Sequence, residues 1–150
     1  HPVAHSFPTR RSSDLLTLER GTIFRDTEVV AMDSDLQAIV DRLNRENAQA
    51  AEQISRAQRN AFQTACELAV RMGAQDPTLR RVVLFGSTIP GRRYRADSDI
   101  DLAVEGGDRA HLERIALSAP QSVDIIGVDE LRPGIRERVL AEGIVLYEAQ

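Results

Sequence analysis

The chain has no lysine, one cysteine and few aromatic residues, and each shortage removes a class of function. All 19 basic residues are arginine, which excludes a lysine nucleophile and a P-loop lysine. With Cys66 alone, neither a disulfide framework nor a cysteine-based zinc site can form, which accords with a reducing, cytoplasmic setting. No run approaches the ~18 consecutive apolar residues that a membrane span requires. Aromatic residues make up 4% and the net charge is -4, so broad electrostatic attraction to nucleic acid is disfavoured. What remains, with 42% hydrophobic and 28% charged residues in 150, has the balance of one ordinary folded domain.

The first residues stand apart. Residues 6–15 read as the translation of a sequencing-library adapter and are set aside as a processing scar would be. Residues 1–31 are accordingly expected to be non-native or untranslated, with Met32 as the true start and 119 residues following from it.

From residue 35 to residue 72 there is no glycine or proline, and good helix formers dominate. Small or apolar residues recur at Leu36, Val40, Leu43, Ala50, Ile54, Ala57, Ala61, Ala65, Leu68 and Met72, with Asn47 as a polar interruption. The spacing predicts a long helical segment over 32–73, capped by Asp33 or Ser34 and ended by Gly73 in a left-handed conformation. An unbroken helix would reach ~55 Å and would need something besides its own core to pack against. A break at 44–47 into two packed pieces is the other reading. Cys66 is expected to be a small buried residue of this helix, and His111 to face solvent.

Strands and helices then alternate through 78–150, the α+β or α/β class. Apolar residues 82–85 end at Gly86. Residues 99–105 alternate, burying Ile100, Leu102 and Val104 and leaving Asp99, Asp101 and Ala103 on the other face. Gly106-Gly107 breaks that strand, and Asp108 can cap a helix to about Leu117. Further elements are expected at 123–128 (strand), 133–142 (helix, with Pro133 in its first turn and Gly143 after it) and 144–147 (strand).

Three acids carry chemical interest. Asp99 and Asp101, two apart on a strand, point to one side with Cα atoms ~6.5–7 Å apart, where their charges repel unless a divalent cation joins them. Asp-x-Asp alone also describes a solvated edge. Asp124 lies among strand-forming apolar residues, where an unpaired charge would be costly; a hydrogen-bonded structural role or an edge position would also explain it. Gly86-Ser87 offers backbone amides and a hydroxyl suited to phosphate, and is equally an ordinary turn. Arg92, Arg93 and Arg95 supply charge for a triphosphate, or form a solvated loop.

In order along the chain, Val83-Leu84-Phe85-Gly86-Ser87, Asp99-Ile100-Asp101-Leu102 and Val123-Asp124-Ile125 resemble the polymerase-β-like nucleotidyltransferase superfamily. The likeness is to its minimal bacterial members, called MNT and often paired with HEPN proteins. It covers roughly residues 80–148, including a similar tail from Leu131-Arg132-Pro133 to Glu148. Eleven residues separate Ser87 from Asp99, about one more than the family pattern, and the long helix exceeds what the family usually carries.

The resemblance implies an α+β fold, a small mixed sheet with flanking helices, preceded here by the long helix. It implies a nucleotidyltransferase that moves a nucleoside monophosphate from ATP or another NTP to a hydroxyl and releases pyrophosphate. Asp99, Asp101 and Asp124 would hold two Mg²⁺ (or Mn²⁺) ions, and Gly86 and Ser87, with Arg92, Arg93 and Arg95, would bind the nucleotide. The expected acceptor is a partner protein, such as a HEPN-type toxin, docked on the long helix; that helix could also join two copies of the chain. A catalytically silent partner-binding module and nucleotidylation of a small molecule are the alternatives.

Overall fold

The structure, a computed structural model, describes residues 26–150, with side chains from residue 31 onward. The expectation of a non-native leader falls for the most part outside the described residues. By its internal contacts the chain divides after Asn47, and the parts on either side are taken in turn.

The first described residues belong to helix α1, Asp26–Gln75. The helix is already formed at Met32 and passes through 44–47 without a break, so Asp33 and Ser34 do not cap it. No glycine or proline interrupts these residues, and their side chains lose little freedom in a helix, so nothing local forces a break. Residues 31–47 are exposed, including Leu36, Ile39, Val40 and Leu43. Gly73 does not end the helix. It stays helical, and its missing side chain admits the ring of Tyr147, which a Cβ would overlap.

The part from Ala48 contains a four-stranded sheet. Its elements are β1 (Leu79–Phe85), β2 (Ile100–Gly106), α2 (Arg109–Ala116), β3 (Val123–Gly127), α3 (Pro133–Glu142) and β4 (Ile144–Glu148), with 3₁₀ turns at Gly86–Thr88 and Val128–Glu130. Strand order is β3-β2-β1-β4; β2 and β3 are parallel and the other pairs antiparallel. This α+β architecture, a mixed sheet with flanking helices and a long N-terminal helix, is the one the sequence implied. Asp108 caps α2 by accepting from the Ala110 amide at 3.2 Å, as expected.

Both faces of the sheet are covered. One face carries Val82, Leu84, Ile100, Leu102 and Val104, packed with Ala61, Ala65, Leu68 and Met72 of α1 and with Leu112 and Ile115 of α2. The other carries Val83 and Ala103, packed with Val128, Leu131 and Val139. Ala103 is fully buried, so β2 does not have the single buried face its alternation suggested. Cys66 is only half-buried; burial, with Glu67 beside it, raises its thiol pKa. His111 is half-buried rather than solvent-facing, with Nδ1 3.5 Å from Arg114 Nη2.

Asp76, just past α1, fastens three segments together. Its carboxylate accepts from the Thr78 amide (3.0 Å), the Thr78 hydroxyl (2.5 Å) and the Asp108 amide (2.7 Å). Those bonds, led by the one from the Thr78 hydroxyl, hold its pKa below the ordinary carboxylate range.

Candidate active site

Sheet register builds the site. Phe85 of β1 pairs with Asp101 of β2, and Asp101 pairs with Asp124 of β3. Paired residues on neighbouring strands project from the same face, ~4.8 Å apart across the sheet. Phe85, Asp101 and Asp124 therefore form one row across three strands, and the row continues the face that carries Val83 and Ala103. Asp101 marks the place where burial gives way: Ala103 is fully buried, Asp101 half-buried and Asp124 exposed. Asp99 stands just before β2, half-buried.

Asp124 corrects one premise. β3 is an edge strand and Asp124 is exposed on it, so its apolar sequence neighbours impose no desolvation penalty. The acid that does suffer burial is Asp101. Burial first, then the charges of Asp124 and Asp99, push its pKa up to about 6. Among the described residues, none of the three acids forms an ion pair.

An all-carboxylate donor set without an arginine partner suits a hard divalent cation. Among the described residues, however, no three His, Cys, Asp or Glu side chains are gathered closely enough to hold a metal.

Gly86 closes the other side of the row. It has φ +82°, and a Cβ there would run into the Asp101 carboxylate, so glycine is required both for the turn and for that approach. Ser87 follows within the same 3₁₀ turn. Thr88, fully buried, donates its hydroxyl to the Asp99 carbonyl at 3.4 Å and ties the turn to the Asp-x-Asp segment. Tyr94 is buried nearby; burial and the charge of Asp99 raise its phenol pKa.

The three arginines do not share one role. Arg92 is committed: it pairs with Glu142 at 3.0 Å and reaches the Gly86 carbonyl at 3.5 Å. Arg95 pairs with exposed Asp97 at 3.5 Å. Arg93 is exposed and makes no ion pair among the described residues.

A cleft of about 1050 Å³ opens over the row, lined by Phe85, Asp101 and Asp124 and, beyond them, by Arg114 and Gln121. Sequence reasoning missed these last two, along with Thr88 and Tyr94, because nothing local marks them. The buried amide oxygen of Gln121 has no partner among the described residues.

Matching of the chain against family models assigns residues 70–150 to the polymerase beta, nucleotidyltransferase family. The chain belongs to that family and is a nucleotidyltransferase. No curated protein matches it. Among solved structures, a toxin–antitoxin complex with AMP-PNP is similar at 26% identity and TM-score 0.47, over 57% of this chain and 74% of the other. The toxin–antitoxin MntA-HepT is similar at 22% identity and TM-score 0.42, over 61% and 74%.

Proposed function

We propose that this chain transfers a nucleoside monophosphate, AMP from ATP, to a hydroxyl of a partner protein, as a HEPN-type toxin would supply in an antitoxin role. The observation that carries the reading is the row Phe85, Asp101 and Asp124, which lines a cleft and has Gly86 against the Asp101 carboxylate. Asp99, Asp101 and Asp124 are the residues to hold divalent cations, with Mg²⁺ foremost. When bound, those cations stabilise the attacking and leaving oxygens of an in-line displacement.

The chain's own residues do the rest by position and charge. Ser87 offers its hydroxyl, and the turn its amides, to the terminal phosphates. Arg93 and Arg95 stand in the following loop to add charge, while Arg92, held by Glu142, braces the carbonyl of Gly86. Asp124, exposed on the edge strand, is placed to take the proton from an incoming hydroxyl. The new bond joins that oxygen to the α-phosphorus, and pyrophosphate leaves.

The partner's docking surface is assigned to the exposed face of α1 that bears Leu36, Ile39, Val40 and Leu43. A second copy of the chain on that face is the competing occupant. The test uses ATP labelled at the α-phosphate in one arm and at the γ-phosphate in the other, with Mg²⁺ and the protein encoded beside this one. Label passing to that protein from the α arm only, and lost with chelator or with Asp124→Asn, supports the reading. Label from the γ arm overturns it in favour of phosphoryl transfer, and no joint binding of Mg²⁺ and triphosphate overturns it and leaves a silent binding module.

A further inference from the structure

Gln58 lies on α1 with no motif to single it out, 29 residues before Ser87 in the chain. Its side-chain nitrogen donates to the carbonyls of Ser87 (2.9 Å), Ile89 (3.0 Å) and Arg92 (2.9 Å). An amide nitrogen carries two hydrogens, so three acceptors converge on two donors in a shared arrangement. Those carbonyls bracket the Pro90-Gly91 turn and belong to the loop that joins β1 to the Asp-x-Asp segment.

Among the described residues, the loop's other side-chain ties run elsewhere: Arg92 pairs with Glu142 of α3 at 3.0 Å. Thr88 reaches the Asp99 carbonyl at 3.4 Å, and Arg92 reaches the Gly86 carbonyl at 3.5 Å. Within the loop, the Ile89 amide reaches the Gly86 carbonyl at 3.4 Å and the Arg92 amide the Ile89 carbonyl at 3.1 Å. Among the described residues, Gln58 makes the side-chain hydrogen bonds that tie the loop to α1.

Its hold also sets amide direction. In a planar trans peptide the carbonyl and the next N–H point opposite ways. Drawing the Ser87 and Arg92 carbonyls toward Gln58 turns the amides of Thr88 and Arg93 away from it. An anion received by this loop would meet N–H groups already oriented, so less ordering is needed when it binds.

We propose that Gln58 is a positioning residue for the triphosphate, clamping the 86–92 loop in its anion-receiving form; this rests on the reading that Gly86-Ser87 takes the terminal phosphates. The test compares the full chain with Gln58→Leu, Gln58→Glu and Gln58→Lys. Leucine removes the donor, glutamate sets a charge against three carbonyls, and lysine restores three donors on one nitrogen.

Two measurements are made on each: amide hydrogen exchange over residues 86–93 without nucleotide, and titration with ATP and Mg²⁺. Melting temperature confirms that each variant is folded. Leucine and glutamate are expected to speed exchange in the loop and weaken ATP binding about tenfold, whereas lysine stays within about threefold of wild type on both. Unchanged loop exchange in the leucine variant overturns the clamp whatever the nucleotide does. Faster exchange with unchanged ATP affinity overturns the positioning role. Faster exchange in a chain whose wild type binds no ATP overturns the triphosphate reading, and with it the purpose assigned to Gln58.

Discussion

Replacing Asp101 by asparagine should make the metal-free protein more stable while abolishing transfer. The carboxyl is half-buried at the end of a covered sheet face, directly across from Asp124 and two residues from Asp99, with no cation paired to it among the described residues. Its pKa stands at about 6 in the folded chain against an ordinary 3.8. A raised pKa in an acid means that ionisation opposes folding: stability falls as pH rises from about 4 to about 6 and stays lowered above that. The full difference corresponds to about 3 kcal/mol, and water on the exposed side reduces it to roughly 1–2 kcal/mol. Asparagine keeps the shape without the charge and should recover that amount at pH 7.5. In a chain of 150 residues each kcal/mol moves the melting temperature by about 2–4 °C. The assay is a melting series from pH 4 to pH 8 in chelator, repeated with Mg²⁺ and ATP. In chelator the variant should melt several degrees higher and lose the decline between pH 4 and pH 6. With ligands present, only wild type should gain stability. A variant that melts lower at pH 7.5, with the same pH profile as wild type, would refute the crowding of acids on which the site depends.

Two glycines allow the turn to be separated from the site. Gly86 and Gly91 have φ near +82° and +89°, so alanine at either costs about 1–2 kcal/mol in backbone strain, but only at Gly86 does the new Cβ meet Asp101. Gly86→Ala should therefore lose ATP binding and transfer while Gly91→Ala keeps both, and equal behaviour in a titration of the two would deny the contact its role. Asp76 titrates with the opposite sign to Asp101: its lowered pKa stabilises the fold at neutral pH, and that contribution is lost as pH falls below about 4 through its depressed value. Asp76→Ala should melt lower at pH 7 and show a shallower acid limb than wild type; parallel curves in the same melting series would contradict the anchoring role.

Much of the sheet is legible in local stretches of sequence. Val82 to Phe85, the alternation from Asp99, and the Pro133 and Gly143 boundaries each depend on local properties, so the elements fall within a few residues of their observed ends. Even the parallel pairing of β2 and β3 has a local cause, because a helix lies between them and parallel neighbours need such a crossover. What misled was burial. Ala103 looked like the solvent side of a strand because the residues sharing its face in sequence are acidic, yet α3 and the Val128–Glu130 turn cover it. Asp124 looked desolvated because its neighbours are apolar, yet an edge strand leaves it open. In both cases the residues that decide burial come from other elements of the fold, far away along the chain.

The acids are legible in the sequence and their support is not, for a related physical reason. On the proposed reading the chemistry requires Asp99, Asp101 and Asp124 to be acids, so their type and order carry the signal. Gln58 and Thr88 act through hydrogen bonds that glutamine and threonine could make almost anywhere, and their targets lie 11 to 34 residues away. Only the packing of α1 against the sheet brings the Gln58 amide within reach of the loop carbonyls. A sequence can therefore declare a charge arrangement while concealing what holds the backbone beside it. In this chain the concealed part separates a glycine–serine turn that happens to follow a strand from one whose amides are fixed in direction.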